Sequence, residues 1–205
     1  MPTGAENEKP ELRAAVLAAA RGRFLKSPYE EVRVDDIVAD AGVAKGLAFY
    51  YFESKRGLYN AVVRSLLMEL AERTRPDPDL PPREREVAAV EAFVVWADET
   101  EGVDLILASW SAGDEELDAM FRAALDQLIG QTISSMHDMP GGPGTVDALP
   151  PELLGRAIWG WMSMARTIVA DWLTARDIPR DELRDLLVGA LDGVYLAARN
   201  VAEQR

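Results

Sequence analysis

The sequence predicts an all-α fold of about nine helices, and three observations support this class. Apolar residues recur at three- and four-residue intervals along most of the chain, which places them on one face of each helix. Glycine and proline cluster at a few positions and divide the chain into segments of helical length. The sequence does not show the alternating apolar and polar pattern of a half-buried strand.

Residues 34–52 predict two short helices joined by a tight turn. The first helix has one apolar face, and Gly42 supplies the backbone freedom that a sharp helix end needs. The second helix carries Lys45 and then aromatic side chains at positions 49–51. An ammonium group, phenol hydroxyls and apolar ring faces suit a helix that lies against DNA. The alternative is a small core helix whose lysine reaches solvent along the surface.

The other helix boundaries follow from proline, glycine and capping residues. Pro10 suits a first helical turn after a short arm, residues 1–9, that we expect to fray. Ser54 is placed to cap the fourth helix. The predicted helices span residues 11–26, 33–41, 44–50, 55–73, 84–98, 103–112, 114–136, 152–175 and 180–203. A proline-rich break at 75–82 and a loop rich in glycine and proline at 138–151 separate the longest segments.

Charge is unevenly distributed along the chain. The 205 residues carry a formal net charge of −13, yet residues 1–57 hold nine basic and nine acidic side chains and are neutral. Residues 58–205 therefore carry the whole excess of negative charge. An acidic second part would point away from DNA and reduce sequence-independent binding. The alternative is that the acidity has no such role, since many proteins are simply acidic.

Composition argues against several other classes of protein. Without cysteine, the chain offers no disulfide framework, no thiol nucleophile and no thiolate metal site. It has no apolar run near 18 residues and no signal-peptide segment, so we expect a cytoplasmic protein with no membrane partner. The single histidine, His137, cannot build a histidine-rich metal site, and no phosphate-binding loop, dinucleotide fingerprint or nucleophile elbow is present. We therefore expect no enzyme activity and no cofactor.

An ordered set of motifs extends over residues 12–64. It consists of Phe24, Val34, Ile37, Ala41-Gly42-Val43, Lys45-Gly46, Phe49-Tyr50-Tyr51-Phe52 and Ser54-Lys55. This set resembles the N-terminal domain of the TetR family of transcriptional regulators. The resemblance implies a helix-turn-helix DNA-binding domain at residues 10–54 and a ligand-binding and dimerisation domain at residues 55–205. It also implies a homodimer that binds a double-stranded DNA operator and is released, as a repressor, by an unknown small apolar molecule.

The resemblance further implies which side chains face DNA. Phosphate contacts would come from Lys45, Tyr50 and Lys55, with Tyr51 in the same stretch. The residues that approach the major groove would be Ala44, Gly46, Leu47 and Phe49. The chain departs from the family at several of these positions, because position 44 commonly carries serine or threonine and positions 47–49 commonly read Thr-Leu-Tyr. Arg33 stands where a small hydroxyl residue is common and would replace one phosphate contact by charge.

Stripes of small residues predict a close contact between helices. The ninth helix has two glycines and an alanine at four-residue intervals, and each mid-helix glycine costs about 1 kcal/mol relative to alanine. The eighth helix has a comparable stripe. TetR-like proteins dimerise through their last two long helices, so we assign Ala157, Gly160, Thr167, Gly189, Gly193 and Ala197 to a homodimer interface. The alternative is that these stripes pack inside one subunit.

Aromatic and methionine side chains in the second part suggest an adaptable apolar pocket, although each could equally fill a core. The candidate pocket residues are Glu91, Val95, Trp96, Trp110, Phe121, Trp159, Met162 and Arg166. Glu91 interrupts an otherwise apolar run at positions 87–97, which we expect to be buried on all sides. An unpaired Glu91 would suit a cationic lipophilic ligand, and Arg166 an acid or acyl thioester. If the two paired with each other, the ligand would be neutral.

Two alternative functions remain open from the sequence. The first is a TetR-like DNA-binding regulator without a small-molecule inducer, controlled by a protein partner. The second is a helical module, or an enzyme, that shares the scaffold and does not bind DNA.

Overall fold

The computed structural model describes residues 4–109 and 150–204, together with positions 115, 119, 122 and 123. Eight helices account for most of these residues, and the described part contains no strand, so the all-α prediction is confirmed. They are α1 (Gly4–Phe24), α2 (Val34–Ala41), α3 (Lys45–Phe52), α4 (Lys55–Arg73), α5 (Pro82–Glu99), α6 (Val103–Ser109), α7 (Pro151–Ala175) and α8 (Arg180–Glu203). The seventh helix predicted from the sequence lies almost entirely outside the described residues, so α7 and α8 are the predicted eighth and ninth.

The first helix begins earlier than the sequence predicts. It starts at Gly4, so residues 4–9 are helical rather than a frayed arm, and Pro10 lies inside the helix. Proline removes one backbone donor from the helical hydrogen-bond ladder, and for that reason it suggested a boundary. Alanine, glutamate and lysine precede it, and these residues favour helix strongly enough to continue the helix on both sides of Pro10.

The turn between α2 and α3 has the geometry that the sequence predicts. Gly42 adopts a left-handed conformation with φ 67° and ends α2. Its backbone N–H donates to the Ala39 carbonyl over 3.2 Å, and the Val43 N–H donates to the Val38 carbonyl over 3.0 Å. This pair of bonds is a Schellman motif, which satisfies the last carbonyls of the helix. It fixes the direction in which α3 leaves the turn.

The three N-terminal helices and α4 share one core. Phe24, Ile37, Leu58 and Val62 are almost completely buried within it. The same cluster of buried side chains continues into α5, α7 and α8, with no break at residue 54. The helix-turn-helix is therefore packed directly onto the helices that follow.

The fifth helix is not buried on all sides. Val90, Val94 and Trp96 are buried, and α5 packs against α4, α7 and α8. Ala88, however, is exposed, so the expectation of burial all round is wrong. An exposed alanine leaves little apolar surface in water, which is why the apolar sequence tolerates one solvent-facing side. Among the described residues, no helix combines the length and apolar character needed to cross a bilayer.

Candidate nucleic-acid interface

Helix α3 buries one face and presents the other to solvent. Ala48 and Phe52 are buried against the core, and Leu47 is half-buried. On the outer face, Phe49 is 39% exposed and Tyr50 is 72% exposed. Burying these rings would be favourable, so their exposure makes this face of α3 a candidate for contact with a partner.

The outer face of α3 is open to close approach. The Tyr50 ring packs edge-on against the Tyr51 ring, with 5.2 Å between centroids. A Cβ added at Gly46 would meet no heavy atom within 4 Å, so the backbone there is accessible. Ala44 is also exposed and gives the start of α3 no side-chain cap, as expected when serine or threonine is replaced. The first N–H groups of α3 have therefore lost the usual hydroxyl partner.

Two of the cations predicted to contact phosphate, Lys45 and Arg33, interact with one carboxylate. The Lys45 ammonium lies 2.8 Å from an oxygen of Asp35, and the Arg33 guanidinium lies 3.9 Å from its other oxygen. The hydrogen bond from Lys45, aided by the charges of Lys45 and Arg33, lowers the pKa of Asp35. Sequence reasoning did not assign Asp35 to this site. The available signal was an acidic residue in the first turn of α2 beside a turn that leads straight to a lysine.

Lys55 occupies a different position from Lys45. Its ammonium donates to the Glu30 carbonyl over 3.3 Å and lies 4.4 Å from the centre of the Tyr29 ring. Tyr29 in turn stacks on Phe24 and packs edge-on against Tyr59. A phosphate contact by Lys55 would therefore have to replace or extend these interactions. They join the first residue of α4 to the turn that precedes α2.

A second ion pair fixes α2 against α1. The Arg23 guanidinium donates to both carboxylate oxygens of Asp40, over 2.5 and 2.7 Å. The hydrogen bond from Arg23 lowers the pKa of the Asp40 carboxyl. Two parallel bonds restrain orientation better than a single contact does. The helix that carries Asp35 is thereby held in register with the rest of the domain.

The two charged residues of the predicted pocket contact different helices. Glu91 lies 3.5 Å from Arg180 and 3.6 Å from Arg184, which are both on α8. Arg166 instead donates to the backbone carbonyl of Leu107 on α6, and burial lowers the pKa of its guanidinium. Glu91 is thus not the unpaired carboxylate that a cationic ligand would require. The partners that the structure shows for Glu91 are on α8, whereas the backbone acceptor of Arg166 is on α6.

The other pocket candidates divide between the core and its margins. Trp96 is only 2% exposed, and its indole N–H donates to Glu69 over 3.2 Å, which joins α5 to α4. Val95, Trp159 and Met162 are half-buried. Arg122 lies over the Trp159 ring, 5.0 Å from its centre. Trp110 and Phe121 lie outside the described residues.

Among the described residues, the small-residue stripes are largely uncovered. A Cβ added at Gly160, Gly189 or Gly193 would meet no heavy atom within 4 Å. Thr167 and Ala197 are exposed, whereas Ala157 is half-buried beside the small cluster around Leu154. Exposed apolar side chains continue the α8 stripe at Leu186, Leu196 and Val201. Apart from Ala157, these positions do not pack against the part of the subunit that the structure describes.

This combination defines a class of protein. A Schellman turn orients α3, α3 exposes aromatic and basic side chains, and α4 joins this unit to a larger helical part. The arrangement is that of a helix-turn-helix DNA-binding protein.

The comparisons with known proteins relate the helix-turn-helix segment to one family of regulators. Residues 16–62 match the family described as "Bacterial regulatory proteins, tetR family". Over these residues the chain is similar to the N-terminal domain of that family. No curated protein sequence matches it.

Several solved structures have a similar fold. A TetR-family transcriptional regulator from Streptomyces coelicolor is similar at a TM-score of 0.74 and 23% identity, over 95% of this chain and 85% of that one. A TetR-like transcriptional regulator from Rhodococcus sp. RHA1 gives a TM-score of 0.61 and 24% identity, over 93% and 96%. FadR from Bacillus subtilis, solved in complex with stearoyl-CoA, gives a TM-score of 0.62 and 17% identity, over 89% of this chain and 97% of that one. At such identities the likeness extends to the fold alone.

Proposed function

We propose that this protein is a repressor that binds a double-stranded DNA operator as a homodimer and is released by a small apolar molecule. One observation carries the DNA-binding part, which is the outer face of α3 with Lys45, Phe49 and Tyr50 exposed. In this proposal residues 10–54 read DNA, residues 55–205 bind the effector and the second subunit, and the protein is cytoplasmic with no catalytic role.

Two recognition helices are needed because each one carries little charge. Helix α3 has one cation, Lys45, and the segment around it is neutral overall. Phosphate contacts dominate affinity for DNA, so a single copy would bind weakly at physiological salt. Two copies about 34 Å apart reach successive major grooves on one side of the duplex. An effector that changes this separation would lower the affinity for the operator.

The effector proposal rests on the second domain. Arg166 extends from α7 to α6 and is partly buried, so an effector in this region would meet a guanidinium among apolar side chains. Fatty acids and acyl thioesters combine a long apolar chain with an acidic or carbonyl group, and the FadR structure from Bacillus subtilis contains stearoyl-CoA. We propose this chemical class for the effector.

A DNA-binding assay tests the proposal. A duplex selected by the protein from a random library serves as the operator, and its affinity is measured by fluorescence anisotropy across salt concentrations. Combining Lys45→Ala with Tyr50→Phe removes two phosphate contacts, so we expect an affinity loss of at least about tenfold and a shallower salt dependence. Arg75→Ala is the control. Arg75 is an exposed cation that follows α4 and pairs with Glu72, and we expect its removal to leave the affinity nearly unchanged.

The result that rejects the recognition surface is a double variant that binds the selected duplex as tightly as the unaltered protein. Failure of the unaltered protein to select any duplex would reject the DNA-binding function as a whole. Adding fatty acids or acyl thioesters to the bound complex tests the effector class. Release of the duplex supports it, and retention with every such compound rejects it.

A further inference from the structure

The ion pair between Asp35 and Lys45 occupies the DNA-facing side of the helix-turn-helix. Asp35 is in the first turn of α2, and Lys45 is the first residue of α3. Their charged atoms are 2.8 Å apart, and the Lys45 ammonium lies 6.0 Å from the centre of the Phe49 ring. Arg33 approaches the second oxygen of the same carboxylate at 3.9 Å. The carboxylate therefore interacts with two of the three cations that were assigned to phosphates, Lys45 and Arg33.

This ion pair has little value for folding. The side chains of Asp35 and Lys45 are 52% and 50% exposed. Exposed ion pairs contribute between nothing and about 1 kcal/mol to stability, because solvent screens them and ordering the side chains opposes them. The helices are already positioned by the Gly42 turn and the Arg23–Asp40 pair. We therefore expect the Asp35–Lys45 ion pair to affect DNA binding by Lys45 more than it affects stability.

We propose that Asp35 competes with DNA phosphates for Lys45 and thereby limits binding to unrelated sequences. This inference rests on the proposed function. On an unrelated duplex, attraction to phosphates supplies almost all of the affinity. Lys45 then exchanges one anion for another, and the displaced carboxylate is left close to the phosphate. The gain from that contact is small.

The operator differs because it supplies further contacts. Leu47 and Phe49 meet base edges only where the sequence is complementary, and those contacts hold the backbone against Lys45. These base contacts offset the cost of breaking the ion pair between Asp35 and Lys45. Asp35 thus weakens binding to both kinds of duplex, but it weakens binding to unrelated DNA more.

The chain offers a matched pair of variants for the test. Asp35→Asn and Asp36→Asn make the same change in net charge within the first turn of α2. Asp36 interacts electrostatically with Arg23 on α1, whereas Asp35 bonds Lys45. Both variants of the full chain are titrated against the selected duplex and a scrambled duplex of the same composition, at several salt concentrations.

We expect Asp35→Asn to tighten binding to the scrambled duplex by about tenfold and to steepen its salt dependence by about one ion. The selected duplex should gain less, so the ratio between the two affinities falls. Asp36→Asn should act more weakly and alike on both duplexes. In a Lys45→Ala background, the additional effect of Asp35→Asn should disappear.

Two results would overturn this role for Asp35 while leaving the proposed function in place. One is equal behaviour of Asp35→Asn and Asp36→Asn on the scrambled duplex. The other is an undiminished effect of Asp35→Asn when Lys45 is alanine. Absence of binding to any duplex by the unaltered protein is a different outcome, since it rejects the proposed function and the role of Asp35 with it.

Discussion

Glu86 is a carboxylate held in an unfavourable environment between α5 and α8. Its side chain is only 15% exposed and lies 3.3 Å from the Arg83 guanidinium. Arg83 itself makes two 2.6 Å bonds to Asp192, so its charge is shared between two acids. Burial raises the pKa of Glu86 above its ordinary value of 4.5, and the bond from Arg83 only partly opposes that rise. The pKa of the Tyr195 phenol is also raised, first by burial and then by the charge of Glu86.

The raised pKa predicts how Glu86 affects stability as pH changes. The folded protein holds the Glu86 proton more tightly than the unfolded chain does, so stability falls as pH rises from 4.5 through the folded pKa. Glu86→Gln keeps the shape and cannot ionise. We therefore expect it to be more stable than the unaltered protein at neutral pH, with the difference shrinking as pH falls towards 4. Urea unfolding at a series of pH values measures this difference.

Glu84→Gln is the control for this prediction. Glu84 lies on the same helix, two residues earlier, and is exposed. We expect it to change stability slightly and without the rise between acid and neutral pH. If Glu86→Gln destabilised the protein equally at every pH, its bonds to Arg83 and Tyr195 would matter more than the cost of burying its charge.

At the residue scale, local interactions were predictable from the sequence and distant ones were not. Ser54 caps α4 by accepting the Gly57 N–H over 2.9 Å, as its position before a helix predicts. The partner of Glu91 was not predictable, because Arg180 and Arg184 are about ninety residues away in sequence. The bond between Asp35 and Lys45 depends on the angle between two helices. A sequence pattern fixes which residues share a helix face, but it does not fix the distance between faces.

At the element scale, the turn before α6 connects the second part of the chain to α1. Gly102 has φ 78°, a conformation that favours glycine. A Cβ built there would lie 1.6 Å from the Leu25 carbonyl oxygen, just beyond the end of α1. Val103, the next residue, is completely buried. Helix α6 also packs against α7, so this turn links the proposed effector domain to the proposed DNA-binding domain.

Gly102→Ala should separate or destabilise these elements. A side chain there meets both an unfavourable φ and a backbone atom that has no flexible end to move. Backbone strain alone costs about 1–3 kcal/mol, and the overlap adds to it, so we expect a loss above about 2 kcal/mol in urea unfolding. Gly22→Ala is the comparison, because Gly22 lies in open space on α1. For Gly22→Ala we expect the free energy of unfolding to increase by up to about 1 kcal/mol, because alanine favours helix more than glycine does.

An unchanged stability of Gly102→Ala would contradict the close approach to Leu25. A variant that stays folded but loses its DNA affinity is compatible with it, since the turn would then have moved away from α1. Hydrogen exchange at the end of α1 and in α6 shows whether the turn has moved. Loss of the contact with Leu25 should make exchange faster in both segments.

Helix boundaries were predictable where the sequence carries strong local signals. Helices α4 and α8 begin and end at the predicted residues, since Ser54 caps one and Pro179 precedes the other. The predicted start of α1 was wrong because Pro10, which suggested a helix boundary, lies inside the helix. The exposed side of α5 was missed because hydropathy reports apolar character and does not report which side has a neighbour.

At the scale of the whole molecule, the outer face of α8 resembles a surface that lacks its partner. Leu186, Leu196 and Val201 are each 45–52% exposed, and they lie along the stripe that contains Gly189 and Gly193. Two mid-helix glycines weaken α8, and neither packs against any described residue of the subunit. In the proposed dimer, a second copy of α8 would approach closely over these glycines, which gives them a function. The sequence supplied the stripe, and the fold showed that it faces outward.

The dimer proposal leads to a prediction that joins assembly to DNA binding. Gly189→Leu with Gly193→Leu should leave the subunit folded, because there is open space at both positions. Across a symmetric interface the change places four leucines where backbones would meet. Overpacking costs about 1–3 kcal/mol for each site, so the dimer should weaken by at least about a hundredfold. Sedimentation at a series of concentrations measures this change.

Loss of the dimer should also remove high affinity for the operator, because a single α3 contributes few phosphate contacts. Gly22→Leu provides the control, since it makes the same substitution at an equally open glycine far from the stripe. It should preserve both the dimer and the affinity. If the double variant stayed dimeric with its affinity unchanged, the two subunits would have to meet elsewhere. If it became monomeric and still bound the selected duplex tightly, one α3 would be sufficient, and the requirement for two recognition helices would be wrong.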